Sequence, residues 1–113
     1  MNPAESGSTE LFVQHIACVN NAGFVMWFEI ERARDNATAG HSGRYPINQS
    51  RRLDAAGLEF PAPPLKVGDL IHPRVHAIAG RTERGPAVRY APNGQTATFA
   101  VTGTTLLYSI QPA

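Results

Sequence analysis

Cys18 is the only cysteine, so the chain can close no internal disulfide and can supply no four-cysteine zinc site. Lys66 is the only lysine among ten basic residues, and nine acidic residues nearly cancel them. The resulting net charge of +1 offers no field to gather nucleic acid. No apolar run approaches the ~18 residues that a membrane-spanning helix needs. Residues 1–10 are polar and acidic, without the charged-then-apolar pattern of a signal peptide. They are expected to form a flexible leader to a single domain over 11–113. The protein is then expected in the cytoplasm, or released without a classical signal peptide. No stretch of eleven or more residues places apolar side chains at helical spacing. A chain of 113 residues has room for one core, and a hydrophobic content of 42% is enough to fill it.

What recurs instead is a short apolar or alternating run closed by Gly, Asn or Pro, the pattern of β-strands. Such runs cover 11–19, 24–32, 44–47, 49–53, 70–79, 87–90, 95–101 and 104–111. The clearest is 24–32. Phe24, Met26, Phe28 and Ile30 fall on one face and Val25, Trp27, Glu29 and Glu31 on the other. The first face is core; the second reads as a strand end running into solvent. Asn20-Asn21-Ala22-Gly23, Pro92-Asn93-Gly94 and Thr102-Gly103 read as turns. Residues 33–43 and 80–86 read as polar loops, and 54–68 as a connection stiffened by Pro61, Pro63 and Pro64. Pro73 inside 70–79 argues for an edge strand or a bulge. The economical closure is an all-β sandwich of seven or eight mostly antiparallel strands, with a small β-barrel second. Its expected core is Phe12, Ile16, Phe24, Met26, Phe28, Ile30, Ile71, Val75, Phe99, Val101, Leu106, Tyr108 and Ile110.

Catalytic motifs are absent. Ser42, Ser50 and Ser109 sit in no nucleophile elbow, and no glycine-rich phosphate loop precedes a helix. His72, Arg74 and His76 share a strand face, but at ~3.3 Å per residue the two histidines stand roughly 13 Å apart, too far to share one ion. A solvated face is the favoured reading, with a small metal- or His-dependent enzyme held as a remote alternative. His15, on the face of Leu11, Val13 and Ala17, reads as a satisfied core or edge residue. Cys18 reads as a small buried hydrophobe. The chain is therefore expected to be no enzyme, and to need no metal and no cofactor.

The arginines carry more. Arg44 stands beside Tyr45 and Arg89 beside Tyr90, pairing a guanidinium with a phenol. Arg forks bind carboxylates, phosphates and sugar hydroxyls, and tyrosine stacks on sugar rings. Together with His41, Arg81 and Arg84 these residues form the expected binding site. Trp27, opposite the core face beside Val25, is ordinary packing if covered and an interface if open.

A first strand ending in Asn-Asn-Ala-Gly, then Ser42-Gly43-Arg44-Tyr45-Pro46-Ile47, then a close on Thr104-Thr105-Leu106-Leu107-Tyr108-Ser109-Ile110 resembles the layout of aegerolysin-like proteins. That resemblance implies a small β-sandwich that recognises membrane lipids, often with a pore-forming partner. The expectation is thus a non-enzymatic, lectin-like module for a glycan or membrane-lipid headgroup. It would touch a membrane surface without spanning it, bind no nucleic acid and form a homo-oligomer. The alternative is a self-assembling subunit that mates through a strand edge or the Trp27 face.

Overall fold

Alternation around Phe28 builds the middle of a sheet, because Met26, Phe28 and Ile30 all bury completely against a second layer. The computed structural model describes residues 11–113, so the leader expected over 1–10 lies outside the described residues. Ten strands follow in order: β1 Phe12–Val13, β2 His15–Asn20, β3 Met26–Arg32, β4 Thr38–Ala39, β5 Ser50–Asp54, β6 Leu70–Ala77, β7 Thr82–Arg84, β8 Val88–Tyr90, β9 Thr96–Thr104 and β10 Leu107–Pro112. Among the described residues one 3₁₀ turn, Ala55–Gly57, is capped by the Asp54 side chain. One sheet runs β1-β8-β6-β3-β4, with β7 also on β6; the other runs β10-β9-β2-β5. They pack as an open sandwich, not a closed barrel.

Two features differ from the expected antiparallel array. β1 pairs with β8, and β2 with β9, in parallel. The cause lies at Gln14. The N–H groups of Gln14 and His15 both donate to Gln95 O, at 2.9 and 3.0 Å, and the chain passes there from one sheet to the other. The return passage, between β8 and β9, is tied to it: Asn93 Nδ2 donates to Phe12 O and Gly94 N–H to Gln14 Oε1, both at 2.9 Å. The step at Gln14 also resets which side chains face inward. Val13, Ile16 and Cys18 are buried, whereas Phe12 is 40% exposed rather than in the core. His15 opens β2, an inner strand between β9 and β5, with its Nε2 3.7 Å from Asp54.

Strand number rises to ten because the polar segments 33–43 and 80–86 supply β4 and β7. Residues 44–47 contribute only a single bridge, Tyr45 to Met26. Pro73 lies in a central strand, not an edge. β6 pairs with β8 through Leu70 and Ile71 and with β7 through Arg74 to His76. The chain between those partners bulges past Pro73, which has no N–H to offer there. A Cβ on Gly85 would lie 2.8 Å from Pro73 Cγ, so the bulge needs its glycine.

The final hairpin turns at Thr105-Leu106, because Leu107 pairs with Thr104 and Tyr108 with Gly103. Leu106 is therefore 70% exposed and not core. Gly103 serves instead as the point of closest approach inside the ladder. Its φ is +126°, and a Cβ there would meet Leu107 O and lie 2.6 Å from Tyr108 Cα. Backbone atoms cannot swing aside. Gly103→Ala is expected to cost at least about 1–3 kcal/mol. Gly94→Ala, with φ +77° and nothing within 4 Å of its Cβ, is expected to cost less. Denaturation midpoints of the two variants check the order.

Candidate functional site

Two surfaces stand out, one on the outer face of the first sheet and one at an end of the sandwich. The first is the outer face of β3, β6 and β7. Register sets Trp27 opposite His76, Glu29 opposite Arg74, Glu31 opposite His72, and Thr82 and Arg84 beside His76 and Arg74. Trp27 is sandwiched between two imidazoles, with His41 at 4.0 Å and 5° on one side and His76 at 4.1 Å and 9° on the other. His76 Nε2 lies 2.7 Å from Glu29 and its Nδ1 3.0 Å from Thr82 Oγ1. Arg84 grips Glu31 through both Nε and NH2, and Asn36 Nδ2 donates to it at 3.3 Å. His72 Nε2 stands 3.4 Å from the same carboxylate.

This face is not the solvated strand end that alternation predicts. Glu31 is 1% exposed and His72 is also buried, since β7 and the turn after β3 bring Arg84 and Asn36 over them. Burial alone would raise the Glu31 carboxyl. The hydrogen bonds from Arg84 and Asn36, with the charges of Arg84 and His72, overcome it and hold the group below the usual carboxylate range. His72 moves below its ordinary value, chiefly because burial disfavours the imidazolium; Arg84 adds to this while Glu31 opposes it.

Both shifts act on the acid side. A depressed His72 stabilises the fold above its unfolded value of ~6.5 and loses that contribution as pH falls through the folded value. A depressed Glu31 does the same below its unfolded value of ~4.3. Stability is therefore expected to fall in two stages on acidification, and His72→Gln to remove the first while keeping the second. Denaturant midpoints measured for both proteins across pH test this.

Thr82, His76 and Glu29 have the order of a hydroxyl, a base and an orienting carboxylate. Three grooves among the described residues are lined by other side chains, so none of them opens onto Thr82, His76 or Glu29. One of these grooves, of about 460 Å³, is lined by Leu11, Val88, Phe99 and Pro112 among others. Among the described residues no group of three or more His, Cys, Asp or Glu is placed to hold a metal ion. Cys18 is buried and its thiol is pushed far up by that burial.

The second surface is the tip of the β9–β10 hairpin. Leu106 is 70% and Leu107 77% exposed. Arg81 braces the turn, its N–H donating to Thr105 O at 3.0 Å and its guanidinium reaching Leu106 O at 3.4 Å. The Arg81 side chain is itself more than half exposed and stands 3.3 Å from Glu83. Ile78 N–H donates to Val25 O, and Gly23 N–H to Gly103 O, which places exposed Val25 at the same end of the sandwich.

The residues expected to form one binding site are dispersed. His41 caps Trp27 and Arg84 holds Glu31, while Arg44 is exposed on the approach to Tyr45. Arg81 belongs to the hairpin tip. Arg89 NH1 donates to Gly68 O in a separate groove. Tyr45 and Tyr90 are buried, so neither phenol is available to stack on a ligand. Tyr45 donates its hydroxyl to Cys18 O at 2.9 Å, and Arg51 lies over its ring. Trp27 offers a ligand its edge, both faces being taken by histidine. The sequence does not mark the adjacent leucines as a surface, because Leu106 reads as core.

No family model matches the chain, and no curated protein matches it. Among solved structures the chain is similar to part of listeriolysin O, at 14% identity and a TM-score of 0.47, over 88% of this chain and 22% of that one. It is also similar to part of pneumolysin, at 14% identity and a TM-score of 0.38, over 88% of this chain and 23% of that one. The chain thus spans less than a quarter of either protein, and likeness at this level carries no functional argument.

Proposed function

We propose that this protein is a non-enzymatic recognition module that docks on a membrane surface through the hairpin end of the sandwich. One observation carries the reading: two adjacent leucines stand out at the tip of a hairpin, beside a half-exposed arginine. Exposed apolar side chains clustered in this way cost a soluble surface and suit an interface. Leu106, Leu107 and Val25 would enter the boundary between headgroups and acyl chains, and Arg81 would meet a headgroup phosphate. The preformed tip needs no ordering on contact, because Gly103 and Arg81 already fix its shape.

Vesicle flotation tests this reading. Binding is expected to bilayers of phosphatidylcholine, to strengthen when phosphatidylserine is added, and to weaken with salt only on the anionic vesicles. Retention on glycolipid vesicles alone would move the ligand to the sugar. Absence of binding to every vesicle would end the membrane reading.

A further inference from the structure

We infer that β10 is a docking edge for a second copy of this chain, joined antiparallel through β10 itself. Among the described residues five strands pair on one side only, and four of them are ill suited to a further partner. β7 is three residues long and carries Glu83 and Arg84. β1 and β4 are two residues long. β5 carries Arg51, Arg52 and Asp54. β10 runs for six residues, Leu-Tyr-Ser-Ile-Gln-Pro, with no charged side chain. Monomers commonly guard such an edge with lysine, proline, a bulge or a covering loop, and the one proline here, Pro112, lies beyond the pairs from 107 to 111 that would meet about Ser109.

The free edge can be read from the ladder. Ala113 N–H donates to Thr98 O, and Leu107 O faces Thr104 Oγ1. By antiparallel alternation, the N–H groups of Ser109 and Gln111 then point into the sheet and those of Tyr108 and Ile110 point out of it. Among the described residues neither outward N–H has a hydrogen-bond partner. Pro112 shares the outward parity, so its missing N–H removes nothing from the β9 ladder.

This pattern is self-complementary. With a two-fold axis at Ser109, Tyr108 of one copy opposes Ile110 of the other, and each pair exchanges two backbone hydrogen bonds. On the outer face Ser109 meets Ser109, and Leu107 lies across from Gln111, covering part of an exposed leucine. Tyr108 and Ile110 keep their side chains in their own cores. The two four-stranded sheets become one of eight strands, with no like charges opposed along the seam. An unrelated strand could use the same donors, but only a second copy is always present at equal concentration and in matching register.

Light scattering and amide hydrogen exchange, followed together over a wide concentration range, test the inference. The mass is expected to rise from 12.2 kDa toward twice that value, as the Tyr108 and Ile110 amides become protected. Ser109→Lys sets two cations face to face at the axis and is expected to keep the chain monomeric, with both amides exchanging. Ser109→Thr should behave as the parent. A monomer at every concentration overturns the inference. So does a dimer that survives Ser109→Lys with those amides unprotected, which would place the contact elsewhere. Neither result bears on vesicle binding, which is measured on dilute protein.

Discussion

Phe28→Ala is expected to lower stability by about 3–5 kcal/mol, a large share of the ~5–15 that a domain of this size has. Phe28 is fully buried at the centre of β3, facing the second sheet. Its backbone cannot shift to refill the space. Phe28 N–H donates to Ser42 Oγ at 2.9 Å, Ser42 N–H returns to Phe28 O at 3.0 Å, and β6 holds the other edge at Val75. A strand clamped on both sides leaves its cavity open, and the cost of a large-to-small change grows with residual cavity volume. Phe12→Ala makes the contrast. That ring is 40% exposed on a two-residue strand, so its loss is expected to cost no more than about 1.5 kcal/mol. Urea titrations of both variants, with unchanged slope, check the ordering. Equal losses would mean that the sandwich is soft around β3.

The same strand shows what a sequence can and cannot reveal. Alternation over 24–32 sorts Phe24, Met26, Phe28 and Ile30 from Val25, Trp27, Glu29 and Glu31 without error, because period two is a property of one strand alone. His72, Arg74 and His76 are likewise legible as one face. That the two faces are the same surface depends on β3 pairing with β6 at Trp27 and His76, across a gap of 49 residues, 76 less 27. No local signal carries that register. The burial of Glu31 follows only once Arg84 and Asn36 have been brought to it.

Other positions mislead for physical reasons. The run 11–19 reads as one strand, although the chain changes sheets at Gln14. Thr102-Gly103 has the composition of a turn, yet its glycine is required for close approach to Tyr108, and the turn falls on Thr105-Leu106. Tyr45 and Tyr90 sit beside arginines in sequence, but their neighbours' exposure says nothing of their own. Both phenols turn inward.

Replacing Leu106 and Leu107 together by Asp is expected to abolish vesicle binding while leaving the fold intact. The asymmetry comes from where each side chain stands before and after docking. Both are already more than two-thirds exposed in the free protein, so removing them forfeits little folding stability. In the docked state each would bury a leucine, worth ~1.5–3 kcal/mol, or ~3–6 for the pair. At 1.4 kcal/mol per tenfold, that is a loss of about 10²–10⁴ in partitioning, before the cost of bringing two carboxylates to a bilayer. Arg81→Gln is expected to act differently, weakening binding to anionic vesicles more than to neutral ones. Unchanged flotation of the double variant would sink the membrane reading. β10 pairing adds a geometric consequence. An antiparallel pair directs its two hairpin tips to opposite ends of the joined sheet, so a dimer cannot seat both on one flat bilayer. Concentrated protein is then expected to bridge vesicles and raise turbidity. Ser109→Lys should bind vesicles singly without bridging them, and the double leucine variant should do neither.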